Sequence, residues 1–222
     1  MLPRVVIHNA VSLDGRIAGF EVDLGVYYEL AGRWQADAIL CGSGTILAAD
    51  PDAPEDSGEP PELTDSLDDR RPIFVVVDSR GRVKIWDYLR RQPYWRDALC
   101  LCSRATPPEH LERLRQRGVT TIVAGGEKVD LRAALEELSE RYGVQLVRVD
   151  SGGTLNGALL RSGLVSEVSV LVCPVLVGSA GSGSIFGSPE RASEVHQIPL
   201  RLSHVEQLDG CAVWLRYDVM AG

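Results

Sequence analysis

The 222-residue sequence predicts a single α/β domain over residues 1–222, with one mixed, mostly parallel sheet flanked by helices. Three observations carry that expectation. Short apolar runs recur along the chain. The clearest is Ile73-Phe74-Val75-Val76-Val77, which suits a strand buried on both faces of a parallel sheet. Segments with helical spacing stand between the runs, the alternation expected of βαβ units. No internal repeat or second core interrupts the series, and the length suits one core.

In chain order, residues 5–10 form an apolar run interrupted by His8 and Asn9, and Asp14-Gly15 marks a turn. Residues 36–41 lead into Gly42-Ser43-Gly44. A short helix is expected over 45–49 and stops at Asp50-Pro51, because proline disfavours the helical region for the residue before it. Residues 52–69, rich in Pro, Gly, Ser and acids, read as a mobile loop. Strands are expected at 73–77, 98–102, 120–124, 144–149 and 168–173. Helices are expected at 108–117, carrying Leu111 and Leu114, and at 131–142, carrying Leu131, Ala134, Leu135 and Leu138 with Gly143 as the stop. A last helix is expected over 155–162, and weak alternation at 212–217 suits an antiparallel edge strand.

Composition narrows the function. Apolar residues make up 45% and charged residues 24%, a globular balance that excludes wholesale disorder. The net charge of −8 makes nucleic acid a poor partner. That acidity is local. Eight acids lie between Asp52 and Asp69 with no Lys or Arg among them, and without those eight the chain carries 23 acidic against 23 basic residues. No apolar run approaches the ~18 residues of a membrane span, and the N-terminus lacks a signal-peptide pattern, so a cytoplasmic protein is expected. The five cysteines are odd in number and form no C-x-x-C pair. They read as small buried thiols in a reducing compartment. The four histidines are scattered, and no metal site is expected.

Ligands of open α/β sheets bind beyond the carboxyl ends of the strands. Two glycine-rich turns lie there: Gly42-Ser43-Gly44-Thr45 and Ser151-Gly152-Gly153-Thr154-Leu155. Glycine lets backbone N–H groups approach an anion, although a tight strand-to-helix turn also needs glycine for steric reasons alone. Neither turn matches the dinucleotide fingerprint or the P-loop. Asp78-Ser79-Arg80, followed by Arg82 and Lys84, offers a hydroxyl and cations at a strand end, and Ser103-Arg104 is similar. Such groups suit a phosphate monoester like the 2′-phosphate of NADPH; the alternative is an exposed turn with solvated charges. Asp14 and Asp50 are acids in turns. Composition alone leaves both open between catalysis and chain reversal.

Four segments in order resemble one family. They are Ser12-Leu13-Asp14-Gly15-Arg16-Ile17-Ala18; residues 36–51, ending Ala49-Asp50-Pro51; Arg71-Pro72-Ile73 through Asp78-Ser79; and, most specific, Gly152-Gly153-Thr154-Leu155-Asn156-Gly157-Ala158-Leu159-Leu160 with Pro174-Val175-Leu176-Val177-Gly178 after it. The chain resembles the reductase domain of riboflavin biosynthesis, whose fold is similar to that of dihydrofolate reductase. Lacking a deaminase segment, it resembles the stand-alone form. The resemblance implies an NADPH-dependent reductase that converts the ribosylamino group of a phosphorylated pyrimidine to ribitylamino. It places Asp50 at the catalytic aspartate, and Gly42, Gly44, Thr45, Gly152, Gly153, Thr154 and Leu155 at cofactor positions. Ser79, with Arg80 and Ser103, falls near the adenosine phosphate. Asp150 falls near the pyrimidine and Arg33 near the substrate phosphate, and Asn9 joins them as a candidate substrate contact. It also implies a homodimer, for which the apolar segments 168–177 and 212–217 are candidates.

Three departures stand out. Asp52-Ala53-Pro54-Glu55-Asp56 replaces a stretch that in the family carries a phosphate-binding arginine, and carboxylates there would repel a phosphate. Arg70 and Arg71 are the candidate substitutes. Asp150 is one methylene shorter than the usual Glu, and His8 stands where the fused enzymes carry lysine. Two other readings remain at this stage: a diverged reductase acting on another heterocycle, and a binding protein that keeps the cofactor pocket without turnover.

Overall fold

The computed structural model describes residues 1–49, 51–60, 69–178, 183–187 and 197–220. Its strands are β1 (Arg4–Ser12), β2 (Ala38–Gly42), β3 (Ile73–Val77), β4 (Asp97–Cys102), β5 (Thr120–Val123), β6 (Leu146–Val149), β7 (Glu167–Cys173), β8 (Leu200–Gln207) and β9 (Val213–Val219). Its helices are α1 (Leu24–Ala31), α2 (Ser43–Ala49), α3 (Trp86–Arg90), α4 (Pro108–Gln116), α5 (Leu131–Tyr142) and α6 (Gly153–Arg161). The chain divides into two compact units, the first made of Met1–Pro3 and Ala36–Val147, the second of Arg4–Gln35 and Arg148–Gly222. The fold class is the expected one: α/β, with mostly parallel strands and flanking helices.

In the first unit the strand order is β5-β4-β3-β2, and every pairing is parallel. Ile73, Phe74, Val75 and Val76 are buried, as an uninterrupted apolar run requires when helices cover both faces. Phe74, Val76, Cys100, Cys102, Trp86, Leu89 and Leu114 belong to one buried cluster. Helix α5 begins where the Asp130 carboxylate accepts the Ala133 N–H and ends at Gly143, whose φ of 67° is the left-handed C-cap conformation. The Val144 N–H then bonds back to the Leu138 carbonyl, closing the helix. That capping bond explains why β6 starts at Leu146 and not at the expected 144.

The acidic segment makes hydrogen bonds and ion pairs at its described ends. Asp56 donates its N–H to the Lys84 carbonyl at 2.7 Å and accepts the Asp87 N–H at 2.8 Å, and Glu55 pairs with Lys84. Asp69 holds Arg71 through two guanidinium nitrogens, and Arg71 also bonds the Pro93 carbonyl. Arg71 is therefore engaged within the protein and is not a free substitute for the missing phosphate-binding arginine. Residues 61–68 lie outside the described residues.

In the second unit β1 runs parallel to β7, β9 is antiparallel to β7, and β8 is antiparallel to β9, in the order β1-β7-β9-β8. The tail strand expected at 212–217 is thus antiparallel, but β8 and not β9 is outermost. The alternation of β8 is hidden in the sequence because a bulge between Leu202 and His204 shifts its register. Helix α6 begins two residues earlier than expected. A Cβ on Gly153 would lie 2.2 Å from the Ser184 carbonyl oxygen, and one on Gly157 would lie 2.1 Å from that of Gly187. Close packing against residues 183–187 therefore accounts for both glycines inside a helix. Helix α1, which the sequence did not announce, starts where the Asp23 carboxylate caps the Val26 N–H.

All five cysteines are free thiols, and four of them are buried, as their apolar surroundings suggested.

Candidate functional site

The turns after β3, β4 and β5 of the first unit are tied to one another. The Thr106 hydroxyl accepts the Ser103 N–H at 2.9 Å and donates to the Ser79 carbonyl at 3.0 Å. The Ser103 hydroxyl, fully buried, donates to the Glu127 carbonyl, and the Arg104 N–H bonds the Gly125 carbonyl. The Val129 N–H donates to the Ser79 hydroxyl oxygen at 3.1 Å. That last bond orients the hydroxyl through one of its two lone pairs, and its proton can be given to an acceptor. Beside it Arg80 and Arg104 are exposed, and neither side chain has an ionic or hydrogen-bonding partner among the described residues. A donor hydroxyl and two uncommitted guanidiniums fit a phosphate monoester.

Gly42, the last residue of β2, is half-buried, while Gly44 and Thr45 sit in the first turn of α2. The buried Ser43 hydroxyl accepts from Arg82 at 2.9 Å. A Cβ on Gly44 would meet only Arg82 Nη2 at 3.7 Å, an ordinary contact, so the protein's own packing does not demand glycine there. Asp50 lies outside the described residues.

In the second unit α6 starts from Gly152 without a side-chain cap, leaving the backbone N–H groups of its first turn, Gly153 to Leu155, to other acceptors. Thr154 is exposed and Leu155 buried. Below this turn Asn156, fully buried, directs its amide nitrogen at Asn9 Oδ1 (2.8 Å), the Ser151 carbonyl (3.2 Å) and the Ile185 carbonyl (3.1 Å). Asn9 in turn donates to the Ser151 carbonyl at 2.9 Å. Asn9 is therefore held by a second amide that the sequence reading quoted but assigned no role. Its signal was a poor helix former among apolar residues in a helix interior.

Asp150 is gripped by Arg148, whose Nε and Nη2 reach its two oxygens at 3.0 and 2.8 Å while Nη1 bonds the Ala31 carbonyl at 3.1 Å. Arg148 is buried and was also missed. Its signal was an arginine in an apolar strand two residues from an acid, a spacing that puts both side chains on one face. His8 is fully buried between the Ser169 hydroxyl (2.9 Å) and the Tyr27 carbonyl (3.2 Å). A carbonyl only accepts, so Nε2 carries the proton and Nδ1 accepts from Ser169. Burial pushes the His8 pKa down to about 4, partly opposed by the Asp150 charge. Arg33 pairs with Glu206 at 3.2 Å and lies over the Trp214 ring, so its charge is partly met within the protein. Asp14 accepts from the Ser12 hydroxyl and from the Val177 and Gly178 N–H groups, which hold its carboxyl well below the usual range. It anchors a loop, the turn role left open above.

Solved structures define the class. The chain is similar to dihydrofolate reductase from Enterococcus faecalis, with a TM-score of 0.50 at 7% identity over 97% of this chain and 96% of that one, which shows the fold alone. It is similar to RibD of Acinetobacter baumannii with a TM-score of 0.73 and 24% identity, covering 99% of this chain and 58% of that longer one. An α/β fold of the dihydrofolate reductase kind is therefore shown. Within that class, the model of the RibD C-terminal domain matches residues 3–213. The chain is also 34% identical, over 80% of its own length and 81% of the relative's, to the 2,5-diamino-6-ribosylamino-4(3H)-pyrimidinone 5′-phosphate reductase of Methanothermobacter thermautotrophicus. The chain belongs to the RibD C-terminal family, the reductases of riboflavin biosynthesis.

Proposed function

We propose that this protein is an NADPH-dependent reductase that converts the ribosylamino group of a phosphorylated 2,5-diaminopyrimidinone to a ribitylamino group. Family membership across nearly the whole chain carries the reaction, and the relative's name supplies the substrate class. The residues fit the cofactor. Ser79, Arg80 and Arg104 would meet the 2′-phosphate, with Ser103 and Thr106 fixing the course of that rim. Gly42, Gly44 and Thr45 are assigned to cofactor binding through backbone N–H groups, and so, as a separate assignment, are Gly152, Gly153, Thr154 and Leu155. When bound, NADPH supplies the hydride for C1′ of the sugar.

The chain's own work is orientation and one proton. Asp50 is assigned the proton moved as the ribose ring opens. Asn9 and Asp150 orient the pyrimidine, and Arg33 is assigned to the substrate phosphate. NADPH consumption with the phosphorylated pyrimidine tests the reading, and Asp50→Asn tests the proton step. A second reading, another heterocycle as substrate, draws on one observation: Arg71 is engaged by Asp69. Turnover of that heterocycle in preference to the pyrimidine would favour it.

The self-association we propose uses one sheet face of the second unit. Leu200, Leu202 and Val205 are 43%, 52% and 59% exposed and pair with Val219, Tyr217 and Leu215, and Leu215 registers with Val170 of β7. Directly paired residues share a face, so these side chains form one apolar surface. A second copy is the occupant implied by the family. Among the described residues no helix is long and apolar enough to cross a membrane, and we place the enzyme in the cytoplasm.

A further inference from the structure

We propose that His110 and Asp78 form a buried pair beneath the Ser79-Arg80 turn, that His110 takes up a proton when a 2′-phosphate binds there, and that this uptake is one source of a preference for NADPH over NADH. The inference rests on the cofactor reading of Ser79 given above. Asp78 closes the turn: its N–H donates to the Leu101 carbonyl at 3.0 Å, and its Oδ2 accepts the Val83 N–H at 2.8 Å. The turn lies against the His110 side chain, since a Cβ on Gly81, whose φ is 64°, would fall 2.7 Å from His110 Cγ. Both side chains are buried, His110 at 3% exposure and Asp78 at 0%.

Among the described residues, Asp78 Oδ1 and both ring nitrogens of His110 have no hydrogen-bond partner. Nε2 stands 3.8 Å from Asp78 Oδ2, an ion-pair distance and too long for a hydrogen bond. A buried carboxylate without a counter-charge is costly, and a proton on the ring supplies that charge beside it. In the protein alone, burial lowers the His110 pKa; Asp78 opposes this, Arg113 reinforces it and Glu109 opposes it. Cys100 and Cys102 of β4 also feel the Asp78 charge, and Arg82 is turned to Ser43. A phosphate dianion held by Ser79 and Arg80 changes that balance. It is repelled by the Asp78 charge and favours a charged ring on His110. Ser79, Arg80 and Arg104 have no proton to exchange near neutrality, so uptake falls to the pair below them. NADH lacks the 2′-phosphate and drives none.

The test is calorimetry of NADPH and NADH binding at pH 7 in two buffers of different ionisation enthalpy, which reads the protons taken up per nucleotide. It is run on the wild type, His110→Gln and Asp78→Asn, with a thermal melt for each. At that pH a free phosphate monoester, with a second pKa of about 6, is already mostly dianionic and releases little. The wild type should take up roughly 0.3 proton or more with NADPH and almost none with NADH. His110→Gln should take up none and bind NADPH about 2- to 5-fold more weakly, with NADH unchanged. Asp78→Asn keeps an acceptor for the Val83 N–H and removes the repelling charge, so it should bind NADPH more tightly and lose most of the uptake. A packing role alone would weaken both nucleotides together in both variants, and that result overturns the proposal. Equal uptake with the two nucleotides, or uptake that persists in His110→Gln and so belongs to Cys102, also overturns it. If His110→Gln does not fold, the wild type decides: uptake with NADPH beyond that with NADH upholds the pair, and its absence overturns it. NADPH binding without uptake leaves the cofactor reading standing, whereas failure of both nucleotides to bind overturns the reading and the pair together.

Discussion

At the scale of single residues, the hydroxyl of Ser79 shows how a neighbouring bond decides a side chain's chemistry. The Val129 N–H holds the Ser79 oxygen through one lone pair, and the hydroxyl proton remains available to an acceptor. Ser79→Asp should therefore weaken NADPH binding by ~10-fold or more and leave NADH nearly unaffected, since a carboxylate would face the 2′-phosphate. Titrating both nucleotides checks this, and equal losses would show that the phosphate is not read. His8 carries a second prediction. Its folded pKa of about 4 lies below the 6.5 of a free histidine, so the unfolded chain takes up the proton first as pH falls. Stability is fully present above about pH 6.5 and declines between there and about 4, by at most roughly 3 kcal/mol. Melts across that range should show the slope, and His8→Gln should flatten it. Ser79 stood out in the sequence because a hydroxyl and cations follow an apolar run. Asn156 did not, because its partner Asn9 is distant in sequence; Arg148 lies two residues from Asp150, but its second anchor, the Ala31 carbonyl, is distant too.

At the scale of elements, strands buried on both faces declared themselves by uninterrupted apolar residues, and helix α5 by its spacing and its Gly143 stop. Elements shaped by a local irregularity did not. Strand β8 lost its alternation to a bulge, and α1 is too short and too apolar throughout to show one face. Helix α6 was expected late because its glycines read as a turn. They are inside the helix because residues 183–187 pack against them. Gly153→Ala should then destabilise the fold by ~1–3 kcal/mol, the usual effect of forcing a methyl into a filled space. Denaturant unfolding measures it. A neutral result would mean that the 183–187 segment yields easily, and that the glycine is kept for a ligand instead.

For the whole molecule, the fold class followed from the alternation of apolar runs and helical spacing, whereas the site did not follow from composition. The glycine turns and the strand-end hydroxyl were visible, but the roles proposed for them rest on the family's order of motifs. Self-association is the first prediction at this scale. Val205→Glu puts a charge on the exposed face of β8 and should convert a dimer to a monomer in sedimentation, with the fold intact by circular dichroism. An unchanged assembly would move the contact elsewhere. The central claim, that the chain is a pyrimidine reductase driven by NADPH, is tested most directly by following NADPH oxidation with the phosphorylated 2,5-diamino-ribosylaminopyrimidinone and identifying the product by mass. One NADPH should be consumed per product gaining two hydrogens, and Asp50→Asn, folded by its melt, should lower kcat by ~100-fold or more. A folded wild-type protein that binds NADPH but neither oxidises it nor changes the pyrimidine would contradict the account.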